Sequence, residues 1–104
     1  GIERARFLAL APGFDPTFQP FFMGYARHLL GEGEAAIRHL EQAALEKKIR
    51  QQFYFDLLTI LCEELVAVGR FDEAEGYVRK IAGEQGQEAF ERYLLDFIRK
   101  RKAG

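Results

Sequence analysis

Leu29-Leu30-Gly31-Glu32-Gly33-Glu34-Ala35-Ala36-Ile37 and Ala67-Val68-Gly69-Arg70-Phe71-Asp72-Glu73-Ala74-Glu75 say nearly the same thing twice. Each reads as the end of one helix, a short glycine turn, and an acidic entry to a second helix whose first core contact is alanine. A long apolar helical pattern precedes each turn and a shorter one follows it, so the chain is built from repeated helical hairpins. Hairpins of this kind cannot bury their faces alone and stack on one another.

Upstream of the first turn, Phe18, Phe21, Phe22, Tyr25, Leu29 and Leu30 recur at intervals of three and four. That spacing predicts a helix ending near Leu30, opened by Asp15-Pro16-Thr17 with Thr17 as its cap and Pro20 in its first turn. Ala5, Leu8 and Ala9, with Phe7 and Leu10 beside them, predict an earlier helix over 2–11 that Pro12-Gly13 stops. Between the turns a third helix is expected over 34–47. Its Ala36, Ile37, Leu40, Ala43 and Ala44 face inward, and Lys47-Lys48-Ile49-Arg50 closes it with cations at the carbonyl end.

The segment from Phe53 to Val68 is the most apolar, and its polar residues Asp56, Thr59 and Glu63 form one thin helical stripe. A helix of that composition is buried on most sides and meets water, or a ligand, along the stripe alone. Beyond the second turn, Phe71, Ala74, Val78 and Ile81 predict a helix over 71–82, and Gly83 and Gly86 bracket the next break. A last helix over 87–101 places Ala89, Phe90, Tyr93, Leu94, Phe97 and Ile98 on one broad face that would seal the end of the stack. The expectation is an all-α chain of about six helices, with no strand-like alternation.

Fifteen Lys and Arg against 16 Asp and Glu leave a net charge of −1, so nothing global draws the chain to nucleic acid or an anionic membrane. No apolar stretch approaches the roughly 20 residues a spanning helix needs, and no leader pattern opens the chain. The lone cysteine, Cys62, cannot form an internal disulfide and suits a reducing, cytoplasmic setting. A start at Gly1-Ile2-Glu3 without Met, before an uncapped helical pattern, reads as a piece of a longer protein.

The turn glycines lie 38 residues apart, close to the 34 of the tetratricopeptide repeat. Setting Gly31 on Gly69 superposes Ala36 on Ala74, Leu40 on Val78 and Ala43 on Ile81; Met23-Gly24 falls where that family has its Leu-Gly pair, and Leu61-Cys62 takes the same place in the second copy. The chain therefore resembles a tetratricopeptide-repeat array. The resemblance implies a right-handed superhelix of antiparallel hairpins in one domain: a half repeat over 1–14, repeats over 15–50 and 51–85, and a capping helix over 86–104. Lys48 departs from the family's proline, and the link at Ile49-Arg50-Gln51 is longer than the consensus.

The resemblance also implies a protein-interaction scaffold whose concave face is lined by the first helix of each hairpin. On this chain that face would carry Phe18, Phe21, Tyr25 and His28 from one helix and Asp56, Thr59 and Glu63 from the next, the last three being the stripe already found from spacing. Such a surface suits an apolar peptide carrying Lys or Arg. Phe18 and Phe21 fit equally well a core beneath the N-terminal half repeat.

His28 and His39 lie on different helices without a second His or Cys at ligand spacing, so no metal is expected. Cys62 has no adjacent base, no phosphate loop follows a strand, and neither a cofactor nor catalysis is expected. Arg99-Lys100-Arg101-Lys102 is the one charge cluster; a favoured cationic helix end accounts for it more simply than an anionic partner, nucleic acid included. An accessory regulatory or dimerising role, with the aromatic excess serving a homodimer, is the competing expectation.

Overall fold

The computed structural model of the protein describes residues 15–104, all-α with no strand among them. The helix expected over 2–11, and with it the half repeat, lies outside the described residues. A 3-10 turn at Pro16–Phe18 leads into α1 (Gln19–Leu29), followed by α2 (Gly33–Ala44), a short α3 (Lys47–Gln52), α4 (Tyr54–Ala67), α5 (Phe71–Glu84) and α6 (Glu88–Ala103). The cap at the start is Asp15 rather than Thr17: its carboxylate accepts from the Thr17 N–H at 2.9 Å, and Pro20 then falls in the first turn of α1.

Three of the connections are built alike. Gly31, Gly69 and Gly86 have φ of +77°, +79° and +65°, where glycine pays no Cβ penalty. In each the following N–H reaches back to a carbonyl inside the finished helix: Glu32 to Arg27 at 3.0 Å, Arg70 to Leu65 at 2.9 Å and Gln87 to Ala82 at 3.0 Å. These are Schellman closures, which satisfy orphan carbonyls and reverse the chain within three residues.

The link between α2 and α4 differs from expectation. α2 ends at Ala44 instead of running to Lys47, and Glu46 caps α3 by accepting from the Lys48 N–H at 3.3 Å. Ile49 is fully buried and holds α3 to the core, while Arg50 donates to the Ala44 carbonyl at 3.0 Å and to Glu84 at 2.8 Å. The link thus folds as a helical step.

α1 packs on α2, α2 on α4, α4 on α5 and α5 on α6, and α4 also touches α1 and α6. Leu57, Leu58, Ile60, Leu61, Cys62, Leu65 and Val66 of α4 are all buried, so α4 is the common neighbour of the other long helices. Matching contacts run in the same direction along α1, α4 and α6, which lie parallel. Phe18 and Phe21 meet Phe53 and His28 meets Glu64, while Phe90 meets Phe55 and Phe97 lies beside Glu63. These three helices begin at Gln19, Tyr54 and Glu88, steps of 35 and 34 residues. The glycines at their ends stand 38 apart because α4 has 14 residues against 11 in α1.

Ala36, Leu40 and Ala43 of α2 and their counterparts Ala74, Val78 and Ile81 of α5 are each fully buried. Side chains bridge these two helices on the opposite face: Glu41 accepts from Arg70 at 3.3 Å and from the Tyr77 hydroxyl at 3.1 Å. α6 is rotated relative to the sequence expectation. Leu94, Leu95 and Ile98 are its buried residues, whereas Ala89 and Tyr93 are exposed, because packing on α4 and α5 together uses a narrower arc than the broad apolar face offers.

A Cβ at Gly24 would stand 2.6 and 2.7 Å from side-chain atoms of fully buried Leu40, so the close approach of α1 and α2 requires glycine there. Gly24→Ala should cost about 1–3 kcal/mol of stability, whereas Gly76→Ala, with open space around its Cβ, should add about 0.5–1 kcal/mol. Urea unfolding of the two variants checks the contrast. Burial, with Glu41 next in effect, pushes the Tyr77 hydroxyl up to about 12. The unfolded chain therefore releases this proton first, and stability should hold up to about pH 10 and fall as pH rises towards the folded value. Tyr77→Phe should flatten that alkaline slope and cost about 1 kcal/mol at neutral pH, measured by urea unfolding across the range.

Candidate functional site

The residues expected to form one groove separate into two groups. On α1 the aromatics converge on Phe53, which sits at the break between α3 and α4 with φ −125°. Phe21 is 3% exposed and stacks on Phe53 with ring centroids 4.8 Å apart, and Phe18 meets the same ring edge-on at 5.4 Å. Phe21 is therefore core, a correction to its place among the groove candidates. Phe18 is half-buried against that core, and Tyr25, 6.2 Å from Phe21, is half-buried as well. The helix break at Phe53 frees its ring to insert among α1's aromatics, which periodicity within either helix does not reveal.

His28 joins the two groups. Its Nδ1 lies 3.0 Å from Glu64 Oε1 and its Nε2 lies 3.8 Å from Glu63 Oε2, so the imidazole bridges α1 to α4 between two carboxylates. Glu64, half-buried, rests at the amino end of α2, where the helix dipole favours an anion. Gly33 makes the room, since a Cβ there would come within 2.7 Å of the carboxylate. Glu64 was not among the sequence candidates; its position directly after the stripe residue Glu63, on the flank towards α1, was the available clue.

The stripe on α4 is accessible. Asp56 and Glu63 are exposed and Thr59 is half-buried, its hydroxyl donating to the Phe55 carbonyl at 2.7 Å. Across from them α6 forms a second wall. A small cleft of about 60 Å³ lies among Thr59, Glu63, Tyr93, Leu94 and Phe97, and shares Glu63 and Phe97 with a larger one of about 480 Å³ reaching Phe71 and Arg101. Tyr93 is 69% exposed beside this cleft, and Phe55, stacked on Phe90 at 4.7 Å, is 58% exposed on the α4 side. The sequence expectation assigned Tyr93 and Phe97 to the sealing face, placed Arg101 in the basic cluster at the helix end and did not single out Phe55. Both clefts lie along α4 and α6, with Phe71 of α5 at the rim of the larger.

The basic cluster on α6 is partnered throughout. Lys100 pairs with Asp96 at 2.9 Å, Lys102 with Asp72 at 3.3 Å and Arg99 with Glu75 at 3.9 Å, while the Arg101 guanidinium lies over the Phe97 ring, 5.4 Å from its centroid. Among the described residues, no three His, Cys, Asp or Glu side chains gather so as to hold a metal ion, and no helix is long and apolar enough to cross a membrane.

Cys62 is fully buried, and burial, aided by the Glu63 charge, pushes its thiol up to about 12, so little thiolate forms near neutral pH. A disulfide reagent at about pH 8 should label Cys62 completely in denaturant and only at the rate of unfolding in buffer, as followed by absorbance. Compared with known proteins, the chain matches no family model, no curated protein and no solved structure.

Proposed function

We propose that the chain is a tetratricopeptide-like, non-enzymatic interaction scaffold that holds a partner protein or peptide against the face shared by α1, α4 and α6. The observation that carries this reading is the parallel row of first helices beginning at Gln19, Tyr54 and Glu88, a step of 34 to 35 residues. It presents aromatic rings and carboxylates to solvent beside a cleft instead of burying them. The 34-residue period of the tetratricopeptide repeat supports the family assignment, as does the tight helix contact at Gly24.

A scaffold of this type works by presenting a rigid, partly apolar surface. Burying exposed aromatics supplies affinity, and the charges around them select orientation and partner. Nothing in the basic end of α6 favours a nucleic acid instead, because its cations are matched by Asp72, Glu75 and Asp96 or stacked on Phe97. The buried thiol of Cys62 suits a reducing, cytoplasmic setting.

Affinity capture with the immobilised protein tests the reading. Tyr93→Ala combined with Glu63→Ala should reduce the captured partner about tenfold, while Arg79→Ala on the exposed surface of α5 should leave it unchanged. Equal capture by the folded double variant and the wild type overturns the proposal.

A further inference from the structure

The candidate face exposes two carboxylates, those of Asp56 and Glu63. Among the described residues Asp56 takes part in no ion pair, and Glu63 is met by His28 Nε2 at 3.8 Å, beyond hydrogen-bonding range. Of the neighbouring cations, Lys100 pairs with Asp96, and Arg101, which lines the larger cleft with Glu63, lies over the face of Phe97. Phe55 precedes Asp56 on α4 and Tyr93 lies with Glu63 at the smaller cleft, both rings exposed.

We infer that the cleft between α4 and α6 takes an extended peptide segment in which basic residues flank apolar ones, its cations meeting Asp56 and Glu63 and its apolar side chains covering Phe55, Tyr93 and Phe97. This rests on the scaffold reading above and assigns the partner's chemistry. Carboxylates and aromatic faces recognise the same ligand: the first attract a cation by charge and the second by the ring quadrupole. The chain contains its own example in Arg101, whose guanidinium lies over Phe97 at one end of the cleft. Asp56 and Glu63 are two helical turns apart, about 10 Å along the axis. A polyproline-like segment projects side chains from one side at every third residue, a spacing of about 9 Å. Lysines or arginines three positions apart therefore match the two carboxylates in register.

The test is to pan a displayed random dodecapeptide library on the immobilised protein, then measure a labelled consensus peptide by fluorescence anisotropy. The expected consensus carries Lys or Arg three residues apart around Leu, Phe or Trp. Asp56→Asn with Glu63→Gln should weaken the peptide about tenfold or more, Tyr93→Ala about fivefold, and Arg79→Ala less than about twofold. Affinity should fall between about 0.05 and about 0.5 M salt. Circular dichroism confirms that each variant is folded. A consensus lacking basic residues, or an affinity indifferent to the carboxylate pair, overturns the charge assignment and leaves the scaffold reading standing. A folded target that enriches no sequence removes both. A concentration-dependent dimer in sedimentation that Tyr93→Ala abolishes gives the face to a second copy of this chain and overturns the peptide assignment.

Discussion

Burial of α4 is the constraint on which the rest of the structure depends. Seven of its residues are removed from water, each worth about 2 kcal/mol when an aliphatic side chain is fully covered, and no single neighbour can cover them all. Leu57, Leu58, Leu61 and Leu65 are fully buried, with α2 and α5 packed on the helix and α1 and α6 flanking it. The helix leaves one edge uncovered, and the polar residues Asp56, Thr59 and Glu63 lie there because anything more apolar would extend the core. The exposed polar stripe is thus the remainder of a packing problem.

Around that helix the fold is regular where backbone chemistry dictates it and irregular where side chains do. The glycine turns after α1, α4 and α5 share the same closure, so each reversal is set by a positive φ and a short run of hydrogen bonds. The link from α2 to α4 has no such glycine. It depends on Glu46 capping α3, on buried Ile49, and on Arg50 tying the end of α2 to the end of α5. Its last residue, Phe53, fills the space between α1 and α4 and draws Phe18, Phe21 and Phe22 into contact. One linker therefore both spaces the helices and closes the aromatic end of the core.

Charge is divided between the two faces. On the α2 and α5 side, Glu41, Arg70, Tyr77, Arg50 and Glu84 satisfy one another across helices and act as stitching. On the α1, α4 and α6 side, His28 links two helices through Glu64, but Asp56 and Glu63 stay in solvent next to exposed rings. Ion pairs at an exposed surface contribute little stability each. The contrast is between charges that tie helices together and carboxylates exposed beside aromatic rings.

Periodicity alone determined the all-helical class, the hairpin turns at Gly31 and Gly69, the inward residues of α2 and α5, and the polar stripe of α4, because each is a property of one helix or one turn read along its own axis. The fate of Phe21, the extra helix α3, the rotation of α6 that exposes Tyr93, and the pairing of His28 with Glu64 were decided by tertiary structure. Each depends on which neighbour arrives and at what angle, and a helix with a broad apolar face has several arcs that would bury equally well until its partners choose one. A pattern within a helix marks what can be buried, and only packing between helices settles what is left uncovered.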